Sequence, residues 1–473
     1  MGMFAGMMKK ELGEKGQGIY EAFVYERLAR AWEFKFIPMV DNFSWLKLGG
    51  IGERALTGRA LWEPLGSTRS FLGFNQLMFL PAQVARMPLE DSKGVNTRQV
   101  IGPNARKPMT VDTPIILAAM DRSSVAKEPK LALDRAATAV GTAANSGETG
   151  FWPEERRVAS KYIVQYNRAH WNNTPEQLAQ ADMVEVKVGQ AAHGSVPWVL
   201  PENHLSGELA DFLDAKPGKD GKMQAQMPAR FEEIKGPEDF RKLVDRLRGE
   251  SGGAPIGLKI AAGDIEGDLQ IALDAGFDAV TLDGGQGGTG YGPEMTINNF
   301  GVPTLYAIPR ARRFLDAHRS NMTLIATGGL RDSGDFLKAL ALGADAVAVG
   351  EAALSALMYP SWTRVPAWVN PMNLVFLGGK YVDQFDATQG ARAVANFIKA
   401  STDELSMAAQ TMGKNDVLAV NKDDLVALTE DVAAITGVKL AYERRTSPGG
   451  ATRPSPERGE ARGEAVEVRP AVR

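Results

Sequence analysis

The hydrophobic residues of the chain fall into short runs that recur from Pro114 onward. Eight such runs each end in glycine or a polar residue: Pro114–Ala118, Ala139–Ala144, Tyr162–Tyr166, Met183–Val188, Ile256–Ile260, Ala279–Leu282, Thr323–Ala326 and Ala346–Val349. Strands that are apolar at nearly every position are typical of a parallel sheet buried on both faces. The pattern therefore predicts eight parallel strands, the number that a closed barrel of alternating strands and helices requires.

Helical periodicity fills most of the intervals between these runs. It covers Glu128–Ala137, Pro175–Ala181, Gly267–Ala275, Thr304–His318 and Gly334–Leu342. Gly276 and Gly343 follow two of these segments, where glycine commonly ends a helix. The predicted fold class is α/β: a (β/α)8 TIM barrel with an N-terminal helical and aromatic covering segment and a C-terminal helical extension.

Four regions follow from this pattern. They are an N-terminal covering segment (1–110), the barrel with a long insertion at 189–254 (111–360), a C-terminal extension packed on the barrel (361–445) and a low-complexity, disordered tail (446–473). Helices are predicted over Tyr20–Phe36 in the first region, Pro237–Gly249 in the insertion and Thr388–Gly413 in the extension. Long loops at the mouth of a barrel are usually lids or substrate elements.

Composition narrows the function classes. The chain has 54 Lys and Arg and 57 Asp and Glu, so its formal net charge is -3. It therefore lacks the excess of positive charge that is typical of nucleic-acid-binding proteins. The absence of cysteine excludes disulfides, cysteine-ligated iron–sulfur clusters, zinc–thiolate sites and cysteine nucleophiles. No apolar run reaches the roughly 20 residues that span a bilayer, and the N-terminal residues lack a signal-peptide core. We expect a cytoplasmic protein with no membrane partner and no metal site.

Glycines after the last two strands point to a bound phosphate. Gly328-Gly329 ends the seventh strand, and Gly350-Glu351 ends the eighth. Loops at these two positions form the usual phosphate site of such barrels, through backbone N–H groups and a helix N-terminus. The alternative is that these glycines only permit tight turns.

The run Gly285–Gly290 formally matches the dinucleotide-binding pattern G-x-G-x-x-G. That reading requires a helix to start there, whereas Tyr291-Gly292-Pro293 follows and favours a loop. The better interpretation is a flexible loop whose backbone approaches a ligand closely, through Gly287, Gly288 and Thr289.

Several charged residues lie at positions where the sequence predicts burial or a ligand site, so each is a candidate for an ion pair or a catalytic role. Lys187 and Lys259 interrupt predicted buried strands, and the alternative for each is a surface lysine at a strand end. Glu148, in N-S-G-E-T-G, is a candidate for orienting substrate or moving protons, and the alternative is a solvated glutamate in a turn. His193 and His204 lie in the insertion, where lone histidines are more often surface residues than catalysts.

These motifs together resemble the FMN-binding domain of the glutamate synthase family, over about Thr97 to Tyr442. The matching segments are I-G-P-N-A-R-K-P-M, A-A-M-D-R-S-S-V-A-K-E, N-S-G-E-T-G, V-E-V-K-V-G-Q-A-A-H, G-L-K-I, G-G-Q-G-G-T-G-Y-G-P and G-G-L-R-D-S-G-D. The resemblance implies catalytic roles for Glu148, Lys187, Gln190 and Lys259. It implies that FMN is the cofactor and that it contacts Ala119, Met120, Gln165, Lys259, Gly287, Gly288, Thr289, Gly328, Gly329, Gly350 and Glu351.

Three departures from the family pattern bear on the reaction. The cysteines that hold the family's 3Fe–4S cluster are absent, so no iron–sulfur cluster is expected. His193 stands where the family has lysine, and V-P-W-V-L-P replaces G-G-Q-L-P-G, which alters the positions that hold 2-oxoglutarate. The family's glutamine amidotransferase uses an N-terminal cysteine nucleophile, so the expected partners are a small-molecule substrate and a separate electron-donor or amidotransferase subunit.

The expected function is therefore an FMN-dependent oxidoreductase acting on CH–NH2 donors, with hydride transfer in glutamate, 2-oxoglutarate and ammonia or amine chemistry. One alternative is the FMN-binding subunit of a methylamine–glutamate type transferase. Another is a non-catalytic scaffold subunit that retains the barrel. A barrel enzyme of the nucleotide-dehydrogenase kind is disfavoured because those enzymes usually need a loop cysteine.

Overall fold

The computed structural model of the chain describes residues 45–90, 94–205, 207–367 and 369–443. The helix predicted over Tyr20–Phe36 and the tail predicted at 446–473 lie outside the described residues. Of the helices in the described ranges, none combines the length and apolar character that a bilayer crossing requires.

All eight predicted strands are present, and they form one parallel sheet that curls into a nearly closed barrel. The strands are β1 (Ile115–Leu117), β2 (Ala144–Asn145), β3 (Tyr162–Tyr166), β4 (Met183–Lys187), β5 (Ile256–Ala261), β6 (Ala279–Asp283), β7 (Thr323–Thr327) and β8 (Ala346–Val349). Hydrogen-bonded neighbours run from β2 through β8 to β1. The Leu117 N–H donates to Ala143 O at 3.1 Å, which joins β1 to the chain entering β2. The predicted TIM barrel is confirmed.

The second strand is the least accurate of these predictions. Helix runs to Ala139, where a strand is predicted to begin, and β2 has only two residues. Alanine is a strong helix former, so Ala136, Ala137 and Ala139 extend the preceding helix. Gly141 then adopts a φ of +68°, which turns the chain into the strand.

Nine helices of the described residues pack around the barrel or follow it. They are α1 (Lys127–Ala139), α2 (Pro153–Val158), α3 (Pro175–Leu178), α4 (Asp239–Glu250), α5 (Ile265–Ala275), α6 (Thr304–Ala317), α7 (Ser333–Ala341), α8 (Glu351–Met358) and α9 (Ala387–Thr411). The Asp264 and Asp332 carboxylates accept backbone N–H groups at the starts of α5 and α7. Gly276 ends α5 in the left-handed conformation that the sequence predicts.

The barrel interior changes from apolar to charged toward the carboxyl ends of the strands. Met183, Glu185 and Lys187 alternate along β4, so all three point to the same side of the sheet. Met183 packs in an interior apolar cluster that a hairpin (Gln99–Ile101 and Met109–Val111) closes from below. The charged residues above it therefore collect at the mouth, which is the face where barrels of this kind bind ligands.

Three further pieces cover this mouth or flank it. The strand Trp62–Leu65 pairs antiparallel with Thr289–Pro293, and Leu77–Phe79 pairs antiparallel with Leu425–Ala427. The insertion forms a small sheet of its own, from Trp198–Pro201, Lys216–Pro217 and Met223–Met227, with a helix at Gly207–Phe212. Other described helices are Trp45–Thr57, Glu294–Asn299 and Glu430–Thr436.

The inserted sheet has a separate apolar core. Its buried members are Trp171, Leu200, Leu209, Leu213, Ala225 and Met227. Helix α4, which the sequence places within the insertion, instead packs Leu243, Val244 and Leu247 into the main core as the fourth helix of the ring. The extra structure is thus confined to the part of the insertion that precedes α4.

Besides the charged residues at the mouth, a second buried ionic cluster lies between α1 and α2. Lys130 Nζ contacts Glu155 Oε1 at 2.8 Å and Asp134 Oδ1 at 3.5 Å, and Tyr162 donates its hydroxyl to Glu155. Burial raises the pKa of Glu155 to about 8 and that of Asp134 to about 6, against the opposing charge of Lys130. One lysine is shared by two buried carboxyl groups, so its charge does not outweigh burial and the pKa of both carboxyl groups is raised.

Candidate active site

A cavity of about 950 Å³ opens at the carboxyl ends of the barrel strands. This volume is at the upper end of the roughly 300–1,000 Å³ range of small-molecule sites. Its inner part contains glycine loops, an amide and charged side chains. Its outer wall is aromatic and is formed by Trp62, Trp198, Tyr291, Tyr359 and Trp362.

One end of the cavity is a backbone cradle. Gly328 and Gly329 line it with φ values of +109° and +70°. A Cβ atom on Gly328 would lie 2.7 Å from Gly284 O, and one on Gly329 would lie 2.4 Å from the Gln286 Cβ. Only glycine is accommodated at these two positions, and both residues line the cavity.

The other half of the cradle is the start of helix α8. Gly350 is the residue before that helix, and the first N–H groups of a helix have no intrahelical acceptor. Glu351 is exposed. Its carboxylate would repel an anion, so only its backbone N–H is suited to bind one. Arg331 also lines the cavity and adds positive charge, with its Nε 3.0 Å from Asp335 Oδ2. These groups fit a phosphate.

The floor of the cavity offers a hydrogen-bond acceptor that has no partner. Gln165 Nε2 donates to Glu185 Oε2 at 2.6 Å, whereas the buried Gln165 Oε1 has no hydrogen-bond partner. Buried amide oxygens are normally paired, so this one is suited to an N–H of a bound ring. Lys259 lies beside this floor with a side chain that is only 5% exposed.

Elsewhere in the same cavity, Glu148 is at the centre of a buried ionic cluster. Its Oε1 lies 3.2 Å from Lys187 Nζ and 3.4 Å from an Arg168 guanidinium nitrogen, and its Oε2 lies 4.0 Å from His193 Nε2. Burial by itself would raise the pKa of Glu148. The charges of Lys187, His193 and Arg168 outweigh burial and hold that pKa at about 2, so Glu148 is a carboxylate at neutral pH.

The pKa values of the two bases beside Glu148, Lys187 and His193, are lowered as well, so burial disfavours their charged forms. Burial lowers the pKa of Lys187 to about 8, although the carboxylate of Glu148 opposes the shift. Burial and the charge of Lys187 lower the pKa of His193 to about 4, so its imidazole is neutral at pH 7. Lys187 Nζ also donates to Gln190 Oε1 at 2.7 Å, and Gln190 lines the cavity. The cluster thus places a lysine that titrates near neutrality behind a cavity-lining amide.

Two buried aspartates shape the loops around this cluster. Asp283 Oδ2 accepts the Ala191 N–H at 3.0 Å and ties the end of β6 to the loop after β4, while burial raises its pKa. Asp121 Oδ1 accepts the N–H groups of Ser123 and Ser124 at 2.9 and 3.1 Å. Both contacts fix loop backbone at the rim of the cavity.

The structure brings nearly all of the predicted site residues to this cavity. The lining includes Ala119, Met120, Glu148, Gln165, Gln190, Lys259, Gly288, Thr289, Gly328, Gly329, Gly350 and Glu351. Lys187 does not line the cavity itself but contacts Gln190, which does. Gly287 is different, because its N–H donates to Gly284 O at 2.8 Å within a turn and is not free for a ligand. The predicted flexible loop is also shorter than expected, since the chain becomes a strand at Thr289.

Several alternatives from the sequence are resolved by burial. Glu148, Lys187 and Lys259 are all buried, so none of them is a solvated side chain. The expectation that His193 is a surface residue is wrong, because it is 4% exposed, whereas His204 is exposed as expected. Sequence reasoning missed Arg168 and Glu185; the signal available for each was a charged residue at or within a predicted buried strand.

Comparison with known proteins identifies the family. The model of the conserved region in glutamate synthase matches residues 69–415, most of the chain. The chain belongs to the glutamate synthase family. It is 33% identical over 416 residues to a glutamate synthase large subunit-like protein of Rhizobium meliloti (strain 1021), covering 83% of this chain and 93% of that protein. It is 29% identical over 429 residues to an archaeal-type glutamate synthase (NADPH) of Thermotoga neapolitana, covering 83% of each.

Solved structures with a similar fold are more distant from this glutamate synthase family chain. A mandelate oxidase variant with a monooxide FMN adduct gives 17% identity and a TM-score of 0.46, covering 74% of this chain and 88% of that chain. An active chimera of (S)-mandelate dehydrogenase gives 15% identity and a TM-score of 0.47, covering 75% and 88%. Likeness at this level says nothing about substrate or chemistry.

Proposed function

We propose that the protein is an FMN-dependent oxidoreductase that acts on the C–N chemistry of amino acids and keto acids, with glutamate or 2-oxoglutarate and ammonia or an amine as reactants. The observation that carries the proposal is the combination, in one cavity, of a glycine and helix-terminus cradle, an unpaired buried amide oxygen and a buried lysine. The first fits the phosphate of FMN and the other two fit its ring. Membership of the glutamate synthase family supports the same assignment.

When bound, FMN supplies the hydride chemistry, and the protein supplies position and charge. The backbone of Gly328, Gly329 and Gly350 would hold the phosphate. Gln165 Oε1 would accept a hydrogen bond from the ring, and Lys259 would stabilise negative charge that the ring gains on reduction. Ala119 and Met120 line the cavity as apolar contacts for the ring.

The ionic cluster would bind and orient the second reactant. Gln190 offers its amide to the cavity, and Lys187 stands behind it with a pKa of about 8. A lysine with this pKa can hold or release a proton near neutral pH, so Lys187 is the proposed proton carrier, with Gln190 holding its ammonium group in place. Glu148 remains ionised and keeps Lys187 in place.

We place the electron donor and the source of ammonia or amine on other proteins. The relative from Rhizobium meliloti is described as large subunit-like, which supports a partner subunit. The chain has no cysteine for an iron–sulfur relay, so in this proposal electrons reach the flavin from the donor directly or the net reaction requires none.

The purified protein is expected to be yellow and to release FMN on denaturation, and a colourless preparation that takes up no FMN would contradict the proposal. Reoxidation of the reduced protein by 2-oxoglutarate with ammonia separates glutamate synthesis from other reactions. Turnover of glutamate with methylamine, without net reoxidation, would favour the transferase alternative. Bound FMN with no turnover of either kind would favour a scaffold subunit.

A further inference from the structure

One buried carboxylate lies beneath the cavity without lining it. Glu185 is in the middle of β4 and is 2% exposed. It accepts hydrogen bonds from side chains on three other strands: Thr281 Oγ1 at 2.6 Å, Gln165 Nε2 at 2.6 Å and Asn145 Nδ2 at 3.1 Å. A buried carboxylate with three donors is a satisfied group and is fixed in orientation.

The charge of Glu185 decides which way the Gln165 amide points. A carboxylate offers only acceptors, so the NH2 group of Gln165 must face it. The opposite orientation would set the amide oxygen against a carboxylate oxygen at the same 2.6 Å separation. The carbonyl of Gln165 therefore points away from Glu185, and this is the buried Oε1 that has no partner in the cavity floor.

Asn145 is oriented by the same carboxylate. Its Nδ2 faces Glu185, and its Oδ1 consequently accepts the Gly147 N–H at 3.0 Å. Gly147 has a φ of +69° and immediately precedes Glu148, so this bond fixes the turn that delivers Glu148 to the ionic cluster. Glu185 thus connects the ring-facing amide and the loop of the charged cluster.

We propose that Glu185 is a positioning residue that presents the Gln165 carbonyl as an acceptor for a ring N–H of the cofactor. The cofactor part of this inference rests on the proposed function, since it names FMN as the donor. The orientation part concerns residues of the chain alone. The two parts can be tested separately.

The orientation part is tested in protein labelled with 15N-glutamine, with the Gln165 side-chain amide assigned through Gln165→Ala. In the wild type this NH2 is expected to be shifted downfield and to exchange slowly with solvent, because one proton is held by a buried carboxylate. Glu185→Gln should abolish both properties. A wild-type signal at the position and exchange rate of a free amide would overturn the orientation part, whether or not FMN binds.

The cofactor part is tested by the dissociation constant and absorption spectrum of FMN. In Glu185→Gln the amide of Gln165 is free to flip, so FMN affinity should fall about fivefold, the value of one net hydrogen bond. The matched control is Thr281→Val, which removes a donor from Glu185 without contacting Gln165 and should stay within about twofold. The exchange Gln165→Glu with Glu185→Gln restores an acceptor toward the cavity and should recover most of the affinity.

The outcomes separate the two proposals. A wild-type protein that takes up no FMN overturns the proposed function and with it the cofactor part, while the amide signal still decides the orientation part. If FMN binds to Glu185→Gln as tightly as to the wild type, Glu185 is a structural residue only. The same conclusion follows if Thr281→Val weakens FMN binding as much as Glu185→Gln does.

Discussion

Replacement of Glu148 by glutamine tests how much free energy the ionic cluster contributes to the fold. The pKa of Glu148 is lowered from 4.5 to about 2 in the folded protein. A lowering of this size corresponds to about 3 kcal/mol of stability, at about 1.36 kcal/mol per unit. Loss of one partner from a buried ion pair costs a similar amount, roughly 3–5 kcal/mol, and the 3.2 Å contact with Lys187 is such a pair.

The pH dependence of this stability has a defined sign. A carboxyl group with a lowered pKa stabilises the fold above its ordinary pKa of 4.5, and this contribution disappears as the pH falls toward about 2. Glu148→Gln should therefore reduce the free energy of unfolding by about 3 kcal/mol at pH 7. The difference between the wild type and the variant should shrink steadily below pH 4.5.

The assay is urea unfolding followed by tryptophan fluorescence, at neutral pH and at several acidic values. Asp403→Asn is the matched control, because Asp403 forms an exposed pair with Lys399 at 2.6 Å, and exposed pairs contribute about 0–1 kcal/mol. A loss below about 1 kcal/mol in Glu148→Gln, equal to that of the control, would refute the reasoning. A difference that does not depend on pH would refute it as well.

Further predictions concern the cradle, the ring-facing lysine and the second ionic cluster. Lys259→Met should weaken retention of reduced FMN about tenfold or more, measured by dialysis and redox titration, and unchanged values would make Lys259 a structural lysine. Gly329→Ala should lower both stability and FMN affinity, because the added Cβ would lie 2.4 Å from the Gln286 Cβ. The control Gly263→Ala, whose added Cβ would have no atom within 4 Å, should change neither. Glu155→Gln should make the free energy of unfolding in urea less dependent on pH. In the wild type, the raised pKa of about 8 stabilises the fold fully below pH 4.5, and this stabilisation is lost as the pH rises through 8. Equal pH slopes in the two proteins would contradict that assignment.

Much of the barrel could be predicted because its strands are buried on both faces. Continuous apolar runs such as Ala346–Val349 are typical of central strands, and the glycines that follow such runs mark the mouth. The start of β2 could not be predicted, because the alanines before it favour a helix and are also apolar enough for a buried strand. The inserted sheet was missed, although M-Q-A-Q-M at Met223–Met227 has the alternation of a half-buried strand.

The site was predictable to the extent that its residues lie at strand ends. Lys187 is the last residue of β4 and Gln190 follows that strand, and the parallel pairing of β4 with β5 brings Lys259 beside Lys187. The orientation of side chains was not predictable, because a one-residue change of register exchanges the inside and outside of a strand. For this reason Glu185 is overlooked in the sequence. His193 lies in the loop after β4 and is expected at the surface because lone loop histidines are usually exposed, although it contacts Glu148, a residue distant in sequence.

The separate core of the inserted sheet has a consequence for how this protein could diversify. Because Leu200, Leu209 and Met227 pack among themselves and with Trp171, substitutions in that sheet disturb little of the barrel. Trp198 and Leu200 also line the cavity. Selection can therefore redesign the entrance, and with it the choice of reactant, while the cradle is inherited unchanged. Libraries of engineered variants should be concentrated in this sheet for the same reason.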